Sequence, residues 1–181
     1  MDPFSAGHLV APCPSNRDNS IRLIVETEGT ILDSATRPYI RFTIPEWDLP
    51  ALKVATNWTS SGRVILLEFR NSDRLDLVVV IGPSLDPIRN KLLEPVQQKV
   101  PPMRQSGRLG GKWVTGYKRT VLQSRDYETY SDDELQDRVR AYWNEFLGSD
   151  LPSIKAAMNI PNLVGMSSPE GTPPTDRAPG I

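Results

Sequence analysis

The most apolar part of the chain consists of two short segments joined by a polar turn. Residues 64–70 (VILLEFR) and 75–81 (LDLVVVI) flank the sequence Asn71-Ser72-Asp73. Short runs of Val, Ile and Leu around such a turn are typical of a β-hairpin. Because both segments are almost continuously apolar, we expect them to be central strands that are covered on both faces.

Three other segments have the composition of strands. They are residues 21–26 (IRLIVE), 39–44 (YIRFTI) and 113–122 (WVTGYKRTVL), each containing β-branched or aromatic residues. With the hairpin they predict a mostly antiparallel sheet of about five strands. The proline-containing link around Trp47 interrupts the pattern, and we expect it to place that side chain against the core.

The first predicted helix follows the hairpin. Asp86 is its expected N-cap and Pro87 its first residue, where the missing N–H costs nothing. Pro95 is expected to end or kink this helix because proline cannot donate the helical hydrogen bond.

The last long helix has the clearest local pattern. Ser131 and Glu134 have the spacing of a capping box, and Gly148 is expected to stop the helix. Residues 151–158 predict a short terminal helix. Apolar residues recur at helical spacing as Leu135, Val139, Tyr142, Trp143, Phe146 and Leu147.

These elements predict the α+β class, with the hairpin 64–70/75–81 in the centre of the sheet and two main helices packed on it. Residues 20–160 are expected to form a single domain. Residues 1–19 and the proline-rich residues 161–181 contain few large apolar side chains, so we expect a disordered leader and a disordered tail.

The overall charge and the cysteine content point to a soluble setting without a general electrostatic attraction. The chain has 21 Lys and Arg residues against 22 Asp and Glu residues, a formal net charge of −1. Any electrostatic function therefore has to be local. The single cysteine, Cys13, cannot form an internal disulfide, which is typical of a reducing compartment. We therefore expect a cytoplasmic protein. We expect no membrane partner, because no apolar segment is long enough to span a bilayer.

Residues suited to catalysis are scarce. His8 is the only histidine and lies with Cys13 in the predicted leader, so histidine-based and thiolate-based mechanisms lack a positioned group. No glycine-rich nucleotide motif is present. No lysine follows an acid by two positions, the acid-x-Lys spacing found in many metal-dependent nucleases. The sequence predicts no catalytic residue, no metal site and no cofactor.

Carboxylates leave one enzymatic alternative open. Glu26, Glu68 and Asp76 could form a cryptic metal-dependent nuclease site, since such sites are built from carboxylates around a metal ion. We favour the interpretation that Glu68 and Arg70 are same-face partners at a sheet edge.

One segment has the composition of a binding surface. Between Pro95 and Arg125 the chain has no acid and seven basic residues, with Trp113 and Tyr117 among them. Basic side chains around exposed aromatic rings are suited to contacting phosphates and stacking on bases. The candidate nucleic-acid-binding residues are Lys99, Arg104, Arg108, Lys112, Lys118 and Arg119.

The alternative is a surface that neutralises itself. Residues 126–150 contain eight acids against two arginines and could pair with the basic segment. Aromatic side chains contribute strongly to core burial, which favours core positions over stacking platforms. The aromatic residues predicted to lie in the core are Trp58, Trp113, Trp143 and Phe146.

Several short segments have the order and spacing of a known family. They are residues 58–63, 66–69, 80–83, 112–113, 143–146 and 150–152. In these segments the stretch from about Tyr39 to Met158 resembles the C-terminal region of bacterial proteins of the PD-(D/E)XK nuclease superfamily. The resemblance implies a nuclease-associated accessory region and carries over no catalytic residue, because the nuclease motifs of that family lie upstream.

The sequence thus predicts a non-catalytic accessory or binding domain that contacts DNA or RNA through residues 99–125. A protein-interaction module is the main alternative, with the same basic segment docking an acidic partner such as a separate nuclease subunit. The cryptic nuclease is the third hypothesis.

Overall fold

The computed structural model describes residues 21, 29–104 and 110–165. The predicted leader 1–19, residues 166–181 of the predicted tail 161–181 and the candidate residue Arg108 lie outside these ranges, whereas residues 161–165 are helical. Within them the chain forms one antiparallel sheet with helices packed on it, which confirms the α+β class.

The sheet contains five strands in sequential order, each antiparallel to its neighbours. The strands are β1 (Ile31–Ala35), β2 (Tyr39–Thr43), β3 (Ile65–Asn71), β4 (Leu75–Ile81) and β5 (Val114–Leu122). The predicted hairpin is formed by β3 and β4, and β3 is the central strand.

Helices follow β4 and β5. They are α1 (Pro87–Gln97), α2 (Asp126–Thr129), α3 (Asp132–Glu145), α4 (Leu151–Met158) and α5 (Ile160–Gly165). A π turn, Phe146–Asp150, joins α3 to α4, and two short 3-10 turns lie at Pro45–Trp47 and Pro50–Leu52. Among the described helices, none has the length and apolar content needed to cross a lipid bilayer.

The helix starts follow the predicted caps. The Asp86 carboxylate accepts a hydrogen bond from the Ile88 amide at 2.8 Å, and Pro87 occupies the first helical position of α1. At the start of α3, Ser131 and Glu134 bond each other's backbone amides reciprocally, which completes the capping box.

Neither predicted stop residue ends its helix, and whether Pro95 kinks α1 stays a prediction. Helix α1 continues past Pro95 to Gln97, with the proline buried in the last turn. Gly148 does not form the predicted stop after α3. It lies inside the π turn and lacks the left-handed conformation that ends many helices. The Leu151 amide bonds the Phe146 carbonyl, and this wider turn brings both buried side chains to the side of the sheet.

The first strand of the sheet differs from the predicted one. Ile21 is helical, and the rest of the predicted strand 21–26 lies outside the described ranges. The first strand is instead β1, although Asp33 in its middle disfavours strand structure. The buried Asp33 carboxylate pairs with Arg63 at 2.7 Å beside a β-bulge, so a tertiary ion pair compensates for the weak propensity.

The core lies between the helices and one face of the sheet. Phe42 of β2, Phe69 of β3 and Trp143 of α3 meet there with ring centroids 5.6–5.8 Å apart. Trp143 also stacks on Phe146 at 5.3 Å, and Trp47 is buried as expected. The structure therefore confirms the predicted core positions of Trp47, Trp143 and Phe146.

The opposite face of β3 and β4 is buried as well. Leu66, Val78 and Val80 point away from the helices, and each is no more than 2% exposed. The hairpin is therefore covered on both faces, as predicted. No described helix lies on this second face, and the side chains that cover it form the candidate site.

Candidate functional site

An open cleft of about 530 Å³ lies on the sheet face opposite the helices. Its size falls within the range of ligand pockets in proteins, roughly 300–1,000 Å³. The cleft is lined by Tyr39, Arg41, Asn57, Trp58, Glu68, Arg70, Val80 and Trp113.

Strand register places the polar lining residues on this face. Arg41 of β2 lies opposite Glu68 of β3, and Tyr39 lies opposite Arg70. Successive side chains of a strand point to opposite faces, so alternate residues of each strand share the cleft. Both strands thus contribute two neighbouring side chains to one surface.

The floor of the cleft is an ion-paired triad. Glu68 is only 2% exposed, and its two carboxylate oxygens accept from Arg41 at 2.5 Å and from Arg70 at 2.6 Å. Arg70 also donates to the Thr115 hydroxyl of β5 at 3.4 Å. Two guanidinium groups against one carboxylate leave the triad with one net positive charge, and its geometry is fixed by charge-assisted hydrogen bonds.

Aromatic rings form the walls. The guanidinium carbon of Arg41 lies 5.2 Å from the Tyr39 ring centroid and 5.7 Å from that of Trp58. Trp113 is 51% exposed, and the Lys112 ammonium lies 5.0 Å from its ring centroid. Such contacts combine positive charge with a flat aromatic surface.

Trp58 is seated against the backbone at the end of β4. A β-carbon added to Gly82 would lie 1.9 Å from the Trp58 ring, so only glycine permits this packing. The loop that carries Trp58 is fixed nearby by the Thr56 amide, which bonds the Pro83 carbonyl at 2.9 Å. One cleft wall is therefore preorganised by a backbone contact.

The structure does not bring the five described candidates, Lys99, Arg104, Lys112, Lys118 and Arg119, together on one surface. Lys118 pairs in register with Val78, and Arg119 with Leu77, so the two side chains lie on opposite faces of β5. Lys118 shares the face of the cleft, whereas Arg119 points toward the helices. Strand alternation separates neighbours that look like one basic cluster in the sequence.

Arg119 belongs to a polar network around the π turn. It donates to Asp150 at 3.0 Å and to Glu145 at 2.7 Å, and Tyr117 donates to the same Asp150 oxygen at 2.5 Å. Burial, together with the bond to Asp150, raises the pKa of the Tyr117 hydroxyl, and burial raises that of Tyr142 to about 12. Both hydroxyls therefore stay protonated at neutral pH, and Arg119 serves to attach β5 to the helices.

The other predicted binding residues are dispersed. Lys99 lies in the turn after α1, on the helical side of the sheet, and Arg104 precedes the undescribed residues 105–109. Lys112 lies at the rim of the cleft through its contact with Trp113. Lys112 and Lys118 lie on the cleft side, the Arg104 amide bonds the Gly116 carbonyl of β5, and whether any candidate contacts nucleic acid stays a prediction.

Asp76 neutralises the basic side chains at the end of this face. It is 5% exposed and accepts hydrogen bonds from Thr120 at 2.7 Å, Lys118 at 2.9 Å and Arg74 at 3.1 Å. Burial alone would raise the pKa of Asp76, but these donors outweigh it and hold the pKa below the ordinary value of 3.8. Asp76 is therefore ionised in the folded protein at any pH above about 4.

We expect Asp76→Asn to lower the free energy of unfolding by about 1–3 kcal/mol at pH 7, because charge-assisted bonds are lost from a buried position. A carboxyl group with a lowered pKa stabilises the fold above its unfolded pKa and loses this effect as the pH falls through the folded one. The difference from wild type should therefore shrink below about pH 4 in urea titrations.

Asp137→Asn is the matched control, since Asp137 is 77% exposed and makes one pair with Arg140 on the surface of α3. We expect it to change stability by less than about 0.5 kcal/mol. A constant difference between Asp76→Asn and wild type down to pH 2 would contradict the proposed role of the ionised carboxylate.

Two of the carboxylates considered for a nuclease site are engaged by basic groups. Both Glu68 oxygens are taken by arginines and Asp76 is taken by three donors, while Glu26 lies outside the described residues. In the described part of the chain, no group of three His, Cys, Asp or Glu side chains is arranged to hold a metal ion.

Most of the cleft was not predicted from the sequence. Glu68 and Arg70 are same-face partners as expected, but β3 is the central strand and not an edge. Trp113 was predicted to lie in the core and is half exposed, and Trp58 is half-buried. The cleft could have been predicted from polar residues at alternate positions of two strands, Tyr39 with Arg41 and Glu68 with Arg70, since alternate residues share a face.

The comparisons with known proteins leave the site to be interpreted from its geometry. Neither models of protein families nor curated proteins nor solved structures give a significant match to this chain.

Proposed function

We propose that the protein is a non-catalytic binding domain that holds single-stranded nucleic acid in the cleft of its sheet. The observation that carries the proposal is the combination of a half-exposed tryptophan, Trp113, with a positively charged triad in one open cleft. Aromatic rings stack on bases and cations attract phosphates, which are the two contacts that single strands require.

The shape and depth of the cleft favour unpaired bases over a duplex. Val80 and Glu68 lie at its floor and are almost fully buried, so a ligand must insert a flat group between the flanking aromatic residues to reach the arginines. A base can do this only when it is not stacked and paired within a double helix. Lys112, at the rim beside Trp113, would then lie toward the backbone of the bound strand.

The test measures binding of a short, fluorescently labelled, mixed-sequence single-stranded RNA by anisotropy. We expect saturable binding that Trp113→Ala weakens about tenfold, because removal of one stacking platform costs about 1–3 kcal/mol per base. Raising the salt from about 50 to about 200 mM should weaken binding about five- to tenfold if two phosphates are contacted. The matched duplex should bind more weakly than the single strand.

Arg140→Gln is the control for charge, since Arg140 is exposed on α3, on the helical side of the sheet. It should leave the affinity within about twofold of wild type. Absence of binding, or binding that survives Trp113→Ala and Tyr39→Ala unchanged, would overturn the proposal.

The sequence resemblance to a nuclease-associated region agrees with such a ligand, and we propose the same accessory role in a cytoplasmic setting. The earlier alternative of an acidic protein partner makes a different prediction. Recovery of one stoichiometric protein partner that resists nuclease treatment and is displaced by Arg41→Glu would favour the protein-interaction module.

A further inference from the structure

We infer that the cleft selects guanine, with Arg41 as the residue that recognises the base. The inference rests on the proposed function and deepens it by naming the preferred base. It depends on which hydrogen-bonding groups the cleft still offers once its own ion pairs are formed.

The free groups of the triad are donors. Arg41 uses only its Nε to bind Glu68, so its two terminal nitrogens have no hydrogen-bond partner among the described residues. Arg70 uses Nε on Glu68 and one terminal nitrogen on Thr115. A guanidinium can donate but cannot accept, so the arginines present N–H groups only.

The acidic group of the cleft is not available to a ligand. One Glu68 oxygen accepts from Arg41 and the other from Arg70, and the side chain is 3% exposed. A base that needs an acceptor for its amino group therefore finds no free carboxylate here. The arginine floor therefore disfavours adenine and cytosine, whose major-groove edges present an amino group to it.

Guanine is the base with two adjacent acceptors on one edge. Its O6 and N7 match the paired N–H groups of one guanidinium, which is the commonest base-specific contact of arginine. Uracil and thymine also carry carbonyl oxygens, but an N–H lies between them. The Arg41 guanidinium contacts the rings of Tyr39 and Trp58 and is bonded to Glu68, and these contacts orient its donors before the ligand arrives.

The experiment compares uridine oligomers that carry one central guanosine, inosine, 7-deazaguanosine or adenosine. Inosine keeps O6 and N7 and lacks only the exocyclic amine, whereas 7-deazaguanosine lacks the N7 acceptor. We expect guanosine and inosine to bind alike, and 7-deazaguanosine and adenosine to bind about tenfold more weakly.

Arg41→Lys tests the assigned residue, since lysine keeps the charge and cannot form the paired contact. It should abolish the difference between guanosine and 7-deazaguanosine, whereas Arg140→Lys should preserve it. Thermal unfolding of each variant verifies that it is folded, and the modified-base series on the wild-type protein needs no variant at all.

The outcomes separate the two proposals. If the mixed-sequence RNA binds and the four modified oligomers bind equally, the guanine inference fails and the binding function stands. If 7-deazaguanosine matches guanosine, Arg41 does not read N7 and the inference is overturned. If no single strand binds, both proposals fail.

Discussion

Trp143→Ala should lower the free energy of unfolding by about 3–5 kcal/mol, the largest loss of stability expected from a single change in this chain. The indole is 1% exposed and lies in contact with Phe42, Phe69 and Phe146. Removing it leaves a cavity where helix α3 meets the sheet, because the surrounding rings cannot move together to fill the space. Urea or thermal unfolding followed by circular dichroism measures the effect.

Trp113→Ala is the matched control because it makes the same replacement at a half-exposed position. It should change stability by less than about 1 kcal/mol while weakening RNA binding. Trp143→Phe should cost less than Trp143→Ala, since the indole N–H is buried without a hydrogen-bond partner among the described residues. Similar losses for Trp143→Ala and Trp113→Ala would contradict the assignment of the two tryptophans to core and cleft.

Gly82→Ala should abolish the cleft by displacing Trp58. The added methyl group would lie 1.9 Å from the Trp58 ring, far closer than two carbon atoms can approach, so the ring has to leave its position. We expect a loss of about 1–3 kcal/mol in stability and a loss of at least tenfold in RNA affinity. Anisotropy with the labelled RNA measures the loss of affinity, and thermal unfolding measures the loss of stability.

Gly148→Ala makes the same change where the added carbon meets no atom within 4 Å. Alanine is favoured over glycine in helical segments, so this variant should be neutral or slightly stabilising and should bind RNA as wild type does. Wild-type affinity in Gly82→Ala would show that Trp58 does not form part of the binding surface.

Most of the fold could be predicted from local sequence patterns. The hairpin strands, the capping box at Ser131 and the short helix α4 follow from neighbouring residues alone, since each depends on alternation, a cap or a helical repeat. Strand β1 could not be predicted in this way. Its stability depends on the ion pair between Asp33 and Arg63, residues that the fold brings together across 30 positions of the chain.

The candidate site was harder to predict because it is assembled from distant segments. Trp58 and Trp113 come from two loops, and each looks like a core aromatic until the loops are placed over the sheet. The basic segment led to the opposite error, because residues that are adjacent in sequence were predicted to share one surface. Lys118 and Arg119 are adjacent in sequence, but the pleat of β5 sends one to the cleft and the other to Asp150.

The sequential strand order has a consequence for how the chain folds. Strands β3 and β4 are joined by three residues, Ser72-Asp73-Arg74, a loop as short as the one between β1 and β2, and their pairing is longer and more apolar. Each remaining strand then adds to an existing edge without crossing another connection. Nucleation at this hairpin would give high φ-values at positions such as Leu67 and Val79 and low φ-values in the outer strands. The floor of the cleft would then form before its walls.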